Sequence, residues 1–151
     1  MTEGPGFGNT LVCLSVLIQR HYAQICADHD LTTAQAQLLC SVKDQPRGMS
    51  ELGQILGLAK PGMSGLVDRA EQRGLVQRCT SEHDRRACTI SSTPLGKTIG
   101  DALYAEVAVR LPAIVGHLSA SDQRVLEELI AAVIEGPVSG PSPGGAPPAR
   151  R

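Results

Sequence analysis

Apolar residues recur at steps of three and four near the start of the chain, at Leu11, Leu14, Ile18, Tyr22 and Ile25. This spacing places them on one face of an amphipathic helix over residues 9–29. Thr32 and Gln35 then have the spacing of a capping box, which predicts that a second helix begins near Thr32. The first helix therefore has one face that needs a packing partner.

Two short helices and a β-hairpin are predicted next. The apolar pattern predicts one helix that ends at Gly57 and another, beginning near Pro61, that ends at Gly74. Residues 76–80 and 87–92 have the alternation of two strands around a polar tip. Two short helices joined by a tight turn and followed by a hairpin have the layout of a winged helix-turn-helix. Any small α+β domain is the alternative.

The last third of the chain is predicted to be helical. Thr93 and Pro94 are a good cap and first residue for a long helix. Pro112 predicts a kink near residues 108–112, because proline removes a hydrogen-bond donor from the helix. Ser119 then caps a final helix. The predicted fold class is mostly α with a small β-hairpin wing (α+β).

These elements divide the chain into three parts. Residues 32–93 form the winged helix-turn-helix lobe, residues 9–31 and 94–135 form a helical dimerisation region, and residues 136–151, rich in proline and glycine, form a disordered tail. The terminal helices carry wide apolar stripes, so we expect a second subunit to cover them. A bundle within one chain is the alternative, and it would cover its core only thinly.

Charge narrows the class of protein. The chain has 151 residues and a formal net charge of −1, so it is not a uniformly basic nucleic-acid binder. Residues 60–86, however, hold six lysines and arginines against four acids, whereas the rest of the chain holds eight against eleven. Positive charge is thus concentrated on the predicted lobe. There a basic wing can enter a DNA minor groove while the preceding helix enters the major groove.

The segment LGLAKPGMSGLVDRAEQRGLVQRCTSEHDRRACTISSTPLG, residues 56–96, resembles the DNA-binding core of MarR-type transcriptional regulators. That family has a recognition helix ending in V-D-R-x-x-x-R-G-L-V, followed by a D-x-R wing. The resemblance implies an obligate homodimer of triangular outline that binds a pseudo-palindromic operator in double-stranded DNA. It also implies a repressor that is released by a small aromatic or anionic effector or by an oxidant.

Carried over by position, the resemblance makes residues 60–69 the recognition helix. It implies that Arg86 enters the minor groove, that Arg85 contacts a phosphate, and that Asp84 braces the wing by pairing with an arginine. The candidates for facing DNA from the helix are Lys60, Gly62, Ser64, Gly65 and Arg69.

Two positions depart from the family pattern. Ala59 stands where a serine or threonine often caps the recognition helix, so that capping hydroxyl is missing. Gly65 replaces a residue that is often large and basic. With Gly62 and Gly65 both lacking side chains, we expect specificity to depend more on the wing and on DNA shape.

Three of the five cysteines are redox candidates. Some members of the family sense peroxides through a cysteine in the first helix, which points to Cys13, although its place beside an apolar stripe favours a small core residue. A two-residue turn at His83 and Asp84 would place Cys79 directly opposite Cys88, within reach of a disulfide, and simple strand packing is the alternative. Cys26 and His29 are three apart on one helix, but two ligands do not make a metal site, so we expect no metal and no cofactor.

Two other classes of protein compete with a DNA-binding regulator. One is a thiol-dependent redox enzyme using Cys13 or Cys79 with His21 or His83, and the chain lacks the third, orienting group that such a site needs. The other is a winged-helix module that binds a second protein. No apolar run spans a bilayer and no secretory signal begins the chain. We therefore predict a cytoplasmic protein that is not an enzyme and has no membrane partner.

Overall fold

The structure is a computed structural model that describes residues 6–80 and 88–136. The chain divides into two compact units, Met1–Ile114 and Val115–Arg151. The wing tip and nearly all of the predicted tail lie outside the described residues, and the predicted division into functional lobes stays a prediction.

The first unit contains five helices, α1 (Phe7–Asp28), α2 (Thr33–Ser41), α3 (Met49–Leu56), α4 (Lys60–Gln72) and α5 (Pro94–Arg110). It also contains the strands β1 (Arg47–Gly48), β2 (Val76–Thr80) and β3 (Cys88–Ser92). A 3₁₀ turn, Leu111–Val115, follows α5, and the second unit contains α6 (Ala120–Glu135). None of the helices in the described ranges is both long and apolar enough to cross a membrane. The predicted fold class is confirmed.

Helices α2, α5 and α6 begin at capping side chains that accept hydrogen bonds from first-turn N–H groups. The side chain of Thr32 accepts a hydrogen bond from the Gln35 N–H, and the Gln35 side chain accepts one from the Thr32 N–H, so the predicted capping box is present. The side chains of Thr93 and Ser119 accept hydrogen bonds from the N–H groups of the residues three positions later, at the starts of α5 and α6. Gly57 ends α3 with a φ of 66°, a left-handed conformation that glycine adopts without steric cost.

The sheet has three strands in the order β1-β3-β2, one more than the predicted hairpin. The additional strand, β1, pairs with Thr89 and Ile90 of β3 and is only two residues long, which is too short to produce an alternating pattern. This third strand attaches the start of α3 to the base of the wing.

The register of the hairpin does not place Cys79 opposite Cys88. Cys79 pairs with Thr89, and Cys88 pairs with Thr80. Because side chains alternate between the two faces of a strand, this pairing places Cys79 and Cys88 on opposite faces of the sheet. The arrangement that a two-residue turn at His83 and Asp84 would produce is therefore wrong, and strand packing, the alternative, remains.

The core lies among α2, α3, α4 and the sheet. Its largest fully buried side chains include Leu38, Leu52, Leu66 and Ile90, one from each of these elements. Burying an aliphatic side chain of this size contributes about 1.5–3 kcal/mol to the free energy of unfolding. The N-terminal half of α1 contributes nothing to this core, and the expectation that Cys13 is a core residue is wrong for the single chain, where it is exposed.

Helix α5 stops at Arg110, where a kink near residues 108–112 is predicted. Pro112 has no N–H to donate, and its ring would clash with the carbonyl group four residues earlier, so the helix cannot continue through it. The chain passes into the 3₁₀ turn Leu111–Val115 instead. The proline thus ends the helix, a stronger effect than the predicted bend.

Candidate nucleic-acid interface

Helix α4 lies with one face in the core and the other on the surface. Met63, Leu66, Val67 and Ala70 are buried. The cap position Ala59 forms no side-chain hydrogen bond, as its sequence predicts, and Pro61 in the first turn needs no backbone acceptor. The surface that remains, which we call the outer face of α4, carries the predicted DNA-facing residues Lys60, Gly62, Ser64, Gly65 and Arg69.

The outer face of α4 carries positive charge that no carboxylate of the described residues pairs. Lys60 and Arg69 are exposed, and no carboxylate of the described residues forms an ion pair with either. Ser64 and Gly65, between them, are half-buried. Lys60 and Ser64 also line an open groove of about 610 Å³ whose other walls include Arg78 and Cys88. The start of the helix and the base of the wing therefore share one concave surface.

Arg78 of β2 clamps the wing to α4. Its Nη2 lies 2.6 Å from Oδ1 of Asp68 and its Nη1 lies 2.6 Å from Oε2 of Glu71. The hydrogen bond to Asp68, followed by the one to Glu71, raises the pKa of the Arg78 guanidinium despite partial burial. The charges of Asp68 and Glu71, in the C-terminal half of α4, are thus neutralised by an arginine of β2.

This clamp was not predicted from the sequence, where Arg78 is only one of the six basic residues in segment 60–86. The available signal was a pair of acids at positions 68 and 71, three residues apart on one helix and close in sequence to a strand that carries an arginine. Recognising the contact requires the packing of β2 beside α4, which the spacing alone does not provide.

The C-terminal end of α4 is anchored by a second arginine. Nη1 of Arg73 donates to Oε1 of Gln35 at 2.9 Å, and the same oxygen accepts from the N–H of Thr32 at 3.1 Å. Gln35 is almost fully buried, so this contact is shielded from water. The C-terminal half of α4 is therefore held to the capping box of α2 through Arg73 and to β2 through Arg78.

The three wing-tip residues Asp84, Arg85 and Arg86 fall in segment 81–87, outside the described residues, so their roles stay predictions. At the base of the hairpin, Cys79 is exposed with its Sγ 3.6 Å from Oγ of Ser91, whereas Cys88 packs against the core from the other face. The register thus gives no support to a disulfide between these two cysteines.

A separate cavity of about 230 Å³ lies among α1, α2 and α5. Its apolar walls include Ala36, Leu39 and Val107, and its polar groups belong to Tyr22, Cys40, Lys43, Ser92, Lys97, Asp101 and Tyr104. Burial raises the pKa of Tyr22 above its ordinary range, so its hydroxyl is a neutral donor.

Lys43 connects two of the polar groups of this cavity. Its Nζ lies 4.4 Å from the centre of the Tyr104 ring and 3.6 Å from Oδ1 of Asp101. Lys97 on the same wall has no such acidic partner among the described residues. The cavity therefore combines an apolar interior with a positive rim.

Cys26 and His29 have separate surroundings. Cys26 is buried, and the pKa of its thiol is raised by burial. His29 instead places Nε2 at 2.5 Å from Oε2 of Glu106, whose pKa is lowered by hydrogen bonds from Arg110 and then from His29. Across the part of the chain that the structure describes, no three His, Cys, Asp or Glu residues are grouped as a metal would require.

Part of the chain matches a known protein family and a curated bacterial protein. Residues 29–87 match the model of the MarR family. An uncharacterised HTH-type transcriptional regulator, YfiV of Bacillus subtilis strain 168, is 30% identical over 80 residues, which are 53% of this chain and 50% of that protein. The match thus spans about half the length of this curated relative.

Solved structures resemble the chain over most of its length. A mutant of MarR from E. coli superimposes with a TM-score of 0.81 and 23% identity, covering 88% of this chain and 99% of that one. The transcriptional repressor CouR, bound to a 23-mer DNA duplex, superimposes with a TM-score of 0.72 and 26% identity. The match covers 85% of this chain and 92% of the CouR chain. Residues 29–87 thus match the family that the sequence resembles, and the fold over most of the chain is the winged helix-turn-helix fold of these solved structures.

Proposed function

We propose that the protein is a homodimeric transcriptional repressor that binds a pseudo-palindromic operator and is released by a small ligand. The observation that carries this proposal is the outer face of α4, where Lys60 and Arg69 form no ion pair with a described carboxylate while Arg78 and Arg73 tie the helix to β2 and α2. Unpaired cations on a rigid helix suit phosphates and base edges in the major groove. The similarity to CouR, a repressor bound to DNA, supports the same function.

The dimer is supported by apolar side chains that the single chain leaves exposed. Large side chains of this kind are rarely left in water on a surface of this extent. They are Phe7, Leu11, Val12 and Val16 in α1, and Val125, Leu129, Val133 and Ile134 in α6. A twofold dimer that buries these stripes holds two recognition helices at a fixed separation, which the spacing of two operator half-sites requires.

The cavity among α1, α2 and α5 is the proposed effector site. Two lysines against one aspartate favour an anion, and the apolar walls favour a small aromatic or aliphatic body. Release by thiol oxidation has less support, because Cys79 and Cys88 lie on opposite faces of the sheet. Cys13, exposed on α1, is the redox candidate that this register does not affect.

Benzoate is expected to bind this cavity more tightly than benzamide, which has the same ring and no charge. Replacing Lys97 with glutamine should weaken benzoate binding by about tenfold, the value of one charge-assisted hydrogen bond, and leave benzamide binding nearly unchanged. Isothermal titration calorimetry measures both. Equal losses for the two ligands would show that Lys97 acts through shape and would contradict the proposed selectivity for anions.

The test of DNA binding is selection of genomic fragments by the purified protein, followed by substitution in the wing. Arg86→Ala is expected to weaken binding of the selected duplex by roughly 1–3 kcal/mol per half-site without unfolding the dimer, because it removes a minor-groove contact. The dependence of log affinity on log salt should become shallower as well. Asp84→Ala should weaken binding by loosening the wing, even though it removes a negative charge.

Two outcomes would change the interpretation. If Asp84→Ala tightened binding, simple repulsion of DNA would explain that position and the bracing role would be wrong. If Arg86→Ala kept the wild-type affinity and salt dependence, the hairpin would not be a DNA-reading wing. The alternative of a winged-helix module that binds a protein would then be favoured.

A further inference from the structure

The side chain of Arg69 folds back over Gly65. A Cβ atom added at Gly65 would lie 3.1 Å from Nη1 of Arg69 and 3.9 Å from its Cζ. Residues four apart lie one above the other on a helix, and side chains lean toward the helix N-terminus, so the guanidinium of Arg69 covers the turn that contains Gly65. The charged group of Arg69 thus occupies the place where a side chain of residue 65 would begin.

The guanidinium lies this close because residue 65 has no side chain. A Cβ at 3.1 Å is closer than nine in ten real Cβ contacts, so any other residue at position 65 requires the guanidinium to shift by a few tenths of an ångström. At Gly62, on the preceding turn, an added Cβ would instead meet Leu58 at an ordinary 3.8 Å. Of the two glycines on the outer face of α4, Gly65 is therefore the one with the close fit.

Arg69, like Lys60, forms no ion pair with the described acids near this face. Its neighbour Asp68, and Glu71 one turn further, both bind Arg78. A guanidinium that lies over this turn and has no carboxylate partner among the described residues has its donors available for a pair of hydrogen bonds.

We propose that Gly65 is a specificity-determining position, because it seats the Arg69 guanidinium one turn nearer the start of the recognition helix, where that group contacts a base edge. The inference rests on the proposed DNA binding. The base class is the one that offers two acceptors to a guanidinium in the major groove, which is guanine. Gly65 has no side chain to contact DNA, and in this proposal its small size lets Arg69 make the contact instead.

A double-mutant cycle on the duplex recovered by genomic selection tests the proposal. Gly65→Ala is expected to weaken binding by about tenfold, and Arg69→Ala by a similar factor. In the Arg69→Ala background, adding Gly65→Ala should change affinity by less than about twofold, because the guanidinium is already absent. Both single variants should lose the same guanine preference in each half-site when the selection is repeated.

The matched control for a simple clash with DNA is contained in the cycle, since the methyl group is the same in both backgrounds. If Gly65→Ala costs the same factor with and without Arg69, the methyl group acts on the DNA itself and the proposal is overturned. A uniform loss of affinity with the selected motif unchanged would also overturn it.

A measurement without DNA separates this inference from the proposed function. NMR relaxation of the Arg69 Nε–H group, assigned by its disappearance in Arg69→Ala, should show a more restricted side chain in the wild type than in Gly65→Ala. Equal mobility in both proteins means that Gly65 does not seat the arginine, whatever the chain binds. If the wild type selects no sequence while the mobility differs, DNA binding fails and the seat remains.

Discussion

Replacing Gly96 with alanine is expected to lower the free energy of unfolding by about 3 kcal/mol, at the upper end of the usual cost of overpacking. A Cβ at this position would lie 1.9 Å from the carbonyl oxygen of Leu75 and 3.2 Å from Cδ2 of Leu39. The oxygen cannot retreat, because it accepts a hydrogen bond from the N–H of Thr93 at 3.1 Å. Chemical denaturation of the purified variant measures the loss.

Gly100→Ala is the matched control, since Gly100 lies one turn further along α5. There an added Cβ would meet Leu39 at an ordinary 3.8 Å, and alanine is the better helix former by about 1 kcal/mol. The control should therefore be neutral or slightly more stable. If Gly96→Ala unfolded at the same denaturant concentration as the control, the first turn of α5 would not pack against the start of β2 as closely as described.

Leu129→Glu is expected to separate the proposed dimer and to reduce operator affinity by about 10²- to 10⁴-fold, the usual gain from linking two binding sites. Leu129 is 60% exposed in the single chain and lies in the apolar stripe of α6 with Val125 and Val133. Burying a carboxylate in an apolar interface is costly, whereas glutamate is a good helix former, so the helix itself should survive. Analytical ultracentrifugation and the selected duplex report the two effects.

The control for this substitution adds the same carboxylate to the other side of α6. Ala131 is two residues beyond Leu129, about 200° around the helix, and is exposed. Ala131→Glu should leave both the mass of the assembly and the affinity for DNA close to those of the wild type. A Leu129→Glu protein that remains a dimer would show that the stripe of α6 is not the subunit interface.

The features that sequence predicted well are those that depend on neighbouring residues. The capping box of Thr32 and Gln35, the cap at Thr93 and the left-handed Gly57 are each decided within about five residues, and each is present. The end of α5 beside Pro112 has the same origin, although sequence reasoning underestimated its effect. Local hydrogen bonding and backbone sterics account for all four.

The features that sequence did not predict depend on how distant segments meet. The pairing of Cys79 with Thr89 is a property of two strands together, and a shift of one residue in such a pairing turns every side chain of a strand to the other face. The clamp of Arg78 and the position of Arg69 over Gly65 require side-chain packing that no spacing encodes. The residue types of the candidate interface could therefore be read from the sequence, whereas the contacts among them could not.

Helix α2 contributes both to the cavity and to the contact at the end of α4. Leu39 and Cys40 line the cavity, while Gln35, one turn earlier on the same helix, accepts the hydrogen bond from Arg73 at the end of α4. Nine residues of α-helix span about 13 Å, so the two contacts lie within a short distance of each other. In the proposed function, a ligand that displaced α2 would therefore also move the Gln35 oxygen relative to Arg73, and the capping box would be the physical connection between the effector cavity and the DNA-binding helix.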